Sequence, residues 1–352
     1  MPEPLGLISP APQTCRPLIV FSMGDIIMIR TLVYIIILLL AVIPAAAQPQ
    51  AEKVRTVELT LYPAKAPEPM QGYQLLPKAE EQSEADAAPL YEKAVQSLPK
   101  NLQTDQISKW ARTPLEELPR EQVQSTLKQL KPILELLEQA AKCKYCKWPE
   151  SEVSEDQLLG NLSKYRQIIY ILALQTRLQI AQGQYDKAIA SLQTGFAMAE
   201  RLAEAPTLVQ GLAGIATAAF MCRQLEQFVQ GTNAPNLYWA LQNLPRPLVD
   251  LTEQIVLESP DIRGRARQLM NRLDRHVGAL QCVEAIRLYA AAHDGKFPNE
   301  LSDVTEVVLP DDPFTQSPFT YHRTGSRAVL EAPVSKGATA IDAIRYELRL
   351  KE

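Results

Sequence analysis

Apolar residues at helical spacing dominate the chain from Ala88 onwards. One helix is predicted over residues 90–98, ending at Pro99, and a second over residues 121–141, where Pro132 should introduce a kink. Each pattern places its apolar side chains on one face, as in amphipathic helices that pack against a core. The chain is therefore predicted to be mainly α-helical.

The densest apolar segment, residues 157–230, predicts three further helices. The first ends near Gly183, the second ends at Pro206, and the third covers residues 208–229. Small residues in the third helix allow neighbouring backbones to approach closely, so this helix is expected at the centre of a bundle or solenoid. These small residues are Gly211, Ala213, Gly214, Ala216, Ala218 and Ala219.

The turn between the first two of these helices has the sequence Ala-Gln-Gly-Gln-Tyr-Asp-Lys-Ala-Ile, residues 181–189. It resembles the inter-helix turn of a tetratricopeptide repeat, in which Gly ends one helix, an aromatic residue opens the next and Ala marks their closest approach. The matching residues are Gly183, Tyr185 and Ala188. The resemblance covers about one repeat and implies antiparallel helical hairpins, in an α-solenoid-like arrangement, for residues 88–260.

Two adjacent aromatic residues, Tyr238 and Trp239, follow a break at residues 233–236. They either pack in the core beneath that loop or form a partner surface, since adjacent aromatic residues are typical of interface hot spots. Pro247 is expected in the first turn of another helix, which would continue through Leu257.

A different pattern covers residues 261–352. A long amphipathic helix is predicted over residues 267–293, followed by turns and by two alternating segments, 328–330 and 344–350, that predict strands. This order indicates a small C-terminal α+β module in which one long helix packs on an antiparallel sheet.

A series of Pro, Gly, Asp and aromatic residues follows from the end of this long helix: Tyr289, Gly295, Pro298, Leu309, Pro310, Asp312, Pro313, Phe314, Pro318, Phe319 and Tyr321. In this order they resemble the globular end of type II secretion major pseudopilins. The resemblance implies the same helix-on-sheet module. It does not extend to the N-terminal helix of that family, because Ile29 occupies the position of the family's Glu.

The N-terminal residues predict export. A basic residue precedes an apolar run at 32–43, and a proline and small residues follow it, which is the pattern that signal peptidase recognises. Residues 1–47 are therefore interpreted as a signal peptide cleaved between Ala47 and Gln48, and the mature protein as periplasmic or extracellular. In the alternative, residues 31–47 remain uncleaved and anchor the chain to the inner membrane.

The segments that precede and follow the signal sequence differ from it in composition. The Pro-rich residues before Met28 do not fit a signal peptide, which suggests that translation starts at Met23 or Met28. Residues 48–87 are rich in Pro, Ala, Glu and Gln and predict an extended lead-in. One alternating piece, Val57, Leu59 and Leu61, predicts a single strand within it.

Charge and cysteine content narrow the function classes. The 36 Lys and Arg residues against 40 Asp and Glu residues give a formal net charge of −4, which excludes nucleic-acid binding by bulk charge. Cys143 and Cys146, flanked by lysines, form either a local disulfide or two unpaired thiols. Zinc would need four ligands, and neither a second Cys-x-x-Cys motif nor a His pair is present in the sequence. No cofactor or metal is therefore predicted.

Catalytic motifs do not appear in the sequence. His276, His293 and His322 lie in no His-Glu-x-x-His pattern, and neither a nucleophile elbow nor a phosphate-binding loop occurs. The sequence favours an exported, non-enzymatic helical scaffold that binds a protein partner. The alternatives are an accessory component of a type II secretion or pilus-like apparatus, and an envelope hydrolase whose two facing carboxylates the sequence does not identify.

Overall fold

Helices account for most of the regular structure in the computed structural model, which describes residues 54–67, 72–149, 155–334 and 339–351. These residues form nine helices and eight strands, so the predicted mainly α class is confirmed. The helices are α1 (Ala88–Gln96), α2 (Thr104–Trp110), α3 (Arg120–Gln129), α4 (Lys131–Ala141), α5 (Glu155–Ala181), α6 (Tyr185–Ala203), α7 (Leu208–Phe228), α8 (Tyr238–Gln242) and α9 (Pro260–Ala292). The strands are β1 (Thr56–Leu61), β2 (Ser83–Asp86), β3 (Cys143–Tyr145), β4 (Asp311–Asp312), β5 (Ser317–Pro318), β6 (Thr320–Thr324), β7 (Arg327–Ala332) and β8 (Ile344–Leu350).

The predicted kinked helix over residues 121–141 is two helices, α3 and α4. Leu130 is both the last capping residue of α3 and the first of α4, and Pro132 lies in the first turn of α4. Proline has no backbone N–H and its ring clashes with the carbonyl of the preceding turn, so it is tolerated at a helix start and not within a helix. The correction is therefore a complete break in place of a kink.

Gly183 separates α5 from α6. Its φ of +67° is in the left-handed region, which glycine adopts without a Cβ clash. The Gln184 N–H donates to the Gln179 carbonyl at 2.8 Å, which satisfies a carbonyl at the end of α5. The predicted helix end at Gly183 is therefore confirmed.

Helix α7 is buried along most of its length and packs against α5, α6 and α9. Thr207 caps its first turn, because its side-chain oxygen accepts a hydrogen bond from the Gln210 N–H. A Cβ atom added to Gly214 would lie 2.6 Å from the Ala199 carbonyl oxygen of α6. The close backbone approach predicted from the small residues of this helix is thus present.

Residues 247–258 form turns, so the helix predicted from Pro247 through Leu257 is wrong. The apolar residues at 248, 249, 251 and 255 are buried, as the apolar pattern predicted. They are buried by turns and not by a helix. The Asp250 carboxylate accepts hydrogen bonds from the Thr252 N–H and hydroxyl. Such local side-chain bonds to the backbone compete with helix formation.

The C-terminal strands form a four-stranded sheet in the order β1-β8-β7-β6. Strands β6, β7 and β8 are antiparallel, whereas β1 pairs with β8 in parallel, with Leu59 opposite Leu348. The sheet is therefore mixed, which corrects the antiparallel prediction. The alternating residues of the lead-in explain the difference: Leu59 and Leu61 bury their side chains in this sheet.

Two buried arginines of α9 tie this helix to surrounding loops. Arg275 donates to both carboxylate oxygens of Asp312 at 2.8 and 2.7 Å, and neither side chain is more than 2% exposed. Asp312 also accepts from the Phe314 N–H, as a turn-capping aspartate does. Arg287 pairs with Glu284 at 2.8 Å and donates to the Tyr62 carbonyl, just after β1. The N-terminal strand is thus held by α9 as well as by β8.

The predicted leader and its cleavage site, Ala47 and Gln48, lie outside the described residues. Within the ranges that are described, none of the helices combines the length and apolar character required to cross a membrane.

Candidate functional site

A buried carboxylate, Glu226 of α7, lies where α7, α9 and the sheet meet. Its side chain is 2% exposed and contacts three groups from distant parts of the chain. Arg55 donates to its two oxygens at 3.3 and 2.8 Å, the Nε2 atom of His276 lies 3.0 Å from Oε1, and the Tyr346 hydroxyl donates to Oε1 at 3.1 Å. These contacts connect three distant segments to α7: the residues before β1, helix α9 and strand β8.

Glu226 is a permanent anion at neutral pH. Burial alone would raise its pKa, but the hydrogen bond and charge of His276 and the Arg55 guanidinium outweigh burial and lower the pKa to about 2. Burial raises the pKa of Tyr346 well above its ordinary value, so this hydroxyl stays protonated and donates. A carboxylate saturated by three partners stabilises the fold and is poorly suited to exchange protons with a substrate.

Two exposed arginines flank an aromatic pair beside this cluster. The Phe220 ring of α7 and the Tyr170 ring of α5 lie 5.3 Å apart. The Arg112 guanidinium, from the turn after α2, lies 5.2 Å from the Tyr170 ring centroid and 5.9 Å from that of Phe220. The Arg223 guanidinium lies 5.9 Å from the Phe220 centroid. These distances are within the range of cation–π attraction.

Positive charge exceeds negative charge at this surface. The Arg223 side chain is exposed to solvent on one side and surrounded by protein on the other. This partial burial lowers its pKa. Arg55, Arg112 and Arg272 repel the charge of Arg223, and Glu226 attracts it. Asp342 lies 3.9 Å from Arg272 and offsets part of the positive charge. We call these four arginines, with Tyr170 and Phe220, the arginine groove.

The arginine groove continues into a shallow depression at the end of α2. Its volume is about 460 Å³, and it is lined by Asp105, Ser108, Lys109, Arg112 and Thr113. On its inner side the Arg177 guanidinium donates to the Thr113 carbonyl, which links α5 to the residues after α2. Burial lowers the pKa of Arg177 to about 10, and its buried Nε atom has no hydrogen-bond partner in the described part of the chain. Guanidinium groups on such a surface bind carboxylates or phosphates.

The structure has free thiols at Cys143 and Cys146. Cys143 begins β3 and Cys146 directly follows it, so their Cα atoms are about 10 Å apart if the chain stays extended. A disulfide requires a Cα separation below about 7 Å. Burial also raises the pKa of Cys146, which is the opposite of what a reactive thiol requires.

The two adjacent aromatic residues of α8 lie against α9. Tyr238 is completely buried, and its hydroxyl donates to the Val308 carbonyl. Trp239 is partly buried and meets the Tyr238 ring edge-to-face at 5.0 Å. Tyr238 therefore belongs to the core, and only Trp239 retains a surface that solvent reaches.

Two carboxyl groups with raised pKa values lie at the C-terminal end of α6, Glu200 in its last turn and Glu204 as its C-cap. Partial burial raises the pKa of Glu200 to about 7, and it also raises the pKa of Glu204, which pairs with Arg201. These groups are one turn apart on the same helix and do not face each other across a pocket. In the described residues no group of three or more His, Cys, Asp or Glu side chains is arranged to hold a metal ion.

Sequence reasoning missed both Glu226 and the arginine groove. Their residues are far apart in the chain, because Arg55 lies 171 positions from Glu226 and His276 lies 50 positions from it. One signal was present in the sequence: Arg223 and Glu226 lie one turn apart and are the charged residues of an otherwise uncharged helix.

The protein was compared with models of protein families, with curated proteins and with solved structures, and no match was found in any of the three comparisons.

Proposed function

We propose that this chain is an exported, non-enzymatic protein of the cell envelope that binds a protein partner through its helical part. The observation that carries the proposal is the arginine groove, where exposed guanidinium groups adjoin a partly buried aromatic pair. Arginine and aromatic side chains supply much of the binding energy in protein interfaces. Arg223, Tyr170 and Phe220 lie on helices of the packed core, so the backbone that carries them is in place before a partner binds.

The proposed architecture is an α-solenoid-like series of antiparallel hairpins with a pseudopilin-like module at the C-terminus. The turn at Gly183, between two long helices, supports the first part. The order of α9 followed by β6, β7 and β8 supports the second part. In this arrangement the leader directs export, residues 48–87 lead into the fold, and the C-terminal module closes one end.

An accessory role in a type II secretion or pilus-like apparatus is the second candidate. It is supported by the open edge of β6, because edge strands recruit other chains by strand addition. The exposed residues of this strand, His322, Arg323 and Thr324, are polar or charged. Charged edges disfavour strand addition, so the arginine groove is the better supported surface.

Affinity capture from an envelope fraction tests the proposed function. The full mature chain, the double variant Arg112→Gln/Arg223→Gln and the control Arg327→Gln would each serve as bait. Arg327 is a matched control because it is an exposed arginine of β7, in the sheet. We expect the wild type and the control to retain a common protein and the double variant to lose it. Capture that does not differ among the three baits would refute the proposal.

A further inference from the structure

Two of the four arginines of the groove lack an acidic partner in the described part of the chain, whereas Arg55 pairs with Glu226 and Arg272 pairs with Asp342. In the described ranges neither Arg112 nor Arg223 has a carboxylate within ion-pair distance, whereas Arg345, Arg349 and Arg201 each do. Arg112 donates to the Tyr170 hydroxyl at 2.9 Å and leaves its remaining N–H groups for another acceptor. Uncompensated guanidinium groups held together repel one another, and an anion placed between them would remove that repulsion.

The geometry of the groove suits a ligand with both a negative charge and a flat ring. Arg112 and Arg223 each lie about one cation–π distance from the Phe220 ring, so guanidinium planes and aromatic surface alternate along the groove. A guanidinium fork binds a carboxylate through two parallel hydrogen bonds. An aromatic side chain can stack on the accessible part of Tyr170 or on the guanidinium planes.

The framework behind the groove is rigid. Arg177 links α5 to the residues after α2, and the Glu226 cluster fixes α7 against α9 and β8. The helices and loops that carry the guanidinium groups are therefore in place before a ligand binds, which favours affinity.

The net charge of the protein favours a short acidic peptide over a long polyanion as the ligand of the groove. The formal net charge of −4 would repel a long polyanion that extends beyond the groove. A short peptide segment places its carboxylates only at the arginines. Resting on the proposed function, we infer that the arginine groove binds an acidic, aromatic-containing segment of a partner protein, with Arg112 and Arg223 binding carboxylates and the half-buried Tyr170 ring contacting the aromatic side chain.

Fluorescence anisotropy with the full mature chain tests this inference. The probe is a fluorescein-labelled peptide of alternating Glu and Tyr residues, and the matched probe has Gln in place of Glu. We expect the Glu peptide to bind and the Gln peptide to bind at least about tenfold more weakly, which corresponds to about 1.4 kcal/mol. Each of Arg112→Gln and Arg223→Gln should weaken binding of the Glu peptide about tenfold, and Arg327→Gln should leave it unchanged.

Three results would overturn the inference. The first is that the wild type does not bind the Glu peptide. The second is that the wild type and the Arg112→Gln/Arg223→Gln variant bind it equally. The third is that inorganic polyphosphate displaces the probe at a lower concentration than the unlabelled Glu peptide does. Circular dichroism confirms that the variants are folded. If the double variant loses the captured partner while the peptide fails to bind, the acidic ligand is refuted and the proposed function stands. If the peptide binds as expected but capture does not differ among the three baits, the proposed function is refuted and the acidic ligand class stands.

Discussion

Charged residues in α7 serve two different purposes within one turn. Glu226 is buried and saturated by Arg55, His276 and Tyr346, and it stabilises the junction between helices and sheet. Arg223 is exposed, and most of the charged groups that act on it are arginines, which repel it. The first pattern is that of a structural charge, and the second is the one from which we propose a binding surface.

Replacing Glu226 tests its structural role. Glu226→Gln removes the charge that Arg55 and His276 share, and we expect it to lower the free energy of unfolding by about 3 kcal/mol. Because the native pKa of Glu226 is lowered to about 2, its contribution is fully present above the unfolded pKa near 4.5 and is lost as the pH falls towards 2. Urea denaturation at neutral pH and at pH 3 measures both effects.

The matched control for this variant is Glu58→Gln. Glu58 also pairs with an arginine, Arg349, at 2.9 Å, but its side chain is 64% exposed. An exposed pair contributes less than about 1 kcal/mol. Equal losses of stability in the two variants would show that the Glu226 cluster has no special structural role.

Glu200 should give the opposite dependence on pH. Its pKa is raised by burial to about 7, so the native state holds a proton that the unfolded state has already released between pH 4.5 and 7. Stability contributed by this residue therefore falls as the pH rises through that window. Glu200→Gln should be more stable than the wild type at pH 8 and similar to it at pH 4, measured by chemical denaturation. Glu138→Gln, at an exposed position of α4, should follow the wild-type profile.

At the scale of elements, two helical glycines have opposite expected effects. A Cβ atom at Gly214 would lie 2.6 Å from the Ala199 carbonyl oxygen, whereas a Cβ atom at Gly264 of α9 meets no atom within 4 Å. Gly214→Ala should therefore destabilise the protein by about 1 to 3 kcal/mol through overpacking of α6 against α7. Gly264→Ala should stabilise it by about 0.5 to 1 kcal/mol, because alanine favours helix. Thermal unfolding of the two variants checks the sign, and a melting temperature that does not fall in Gly214→Ala would contradict the close packing.

The two neighbouring cysteines at strand β3, Cys143 and Cys146, are both free in the structure. We therefore expect both to titrate as thiols in denatured protein that has not been reduced. In the native protein the partly exposed Cys146 should react first, since the other described cysteines are buried. Ellman titration measures both quantities, and Cys146→Ser should remove the fast phase. Two thiols missing before reduction would show that the strand gives way to a disulfide.

For the whole molecule, periodicity alone predicted most helices. Gly183 predicted a helix end correctly, because its positive φ acts on the backbone locally. Pro132 was predicted to kink a helix, but it starts a new one, α4. The short elements were missed, since α2 and the pairing of β2 with β3 leave little periodic signal. Residues 247–258 were predicted as helix because burial of apolar residues does not distinguish turns from a helix.

Long-range pairing was beyond the sequence. Strand β1 pairs with β8 from the opposite end of the described chain, and no local pattern identifies that partner. The same holds for the candidate site: its arginines come from the residues before β1, from the turn after α2, from α7 and from α9. The sequence showed that Arg223 interrupts an apolar helix, but only the fold shows which charges surround it.

The arginine side chains themselves offer the most direct test of the central claim, that the groove binds an acidic partner segment. In protein labelled with nitrogen-15 arginine, the Nε–H signals can be followed by NMR while the unlabelled Glu/Tyr peptide is added. We predict saturable shifts of the Arg112 and Arg223 signals and a constant Arg327 signal. Shifts spread evenly over all exposed arginines, or none at Arg112 and Arg223, would contradict the account.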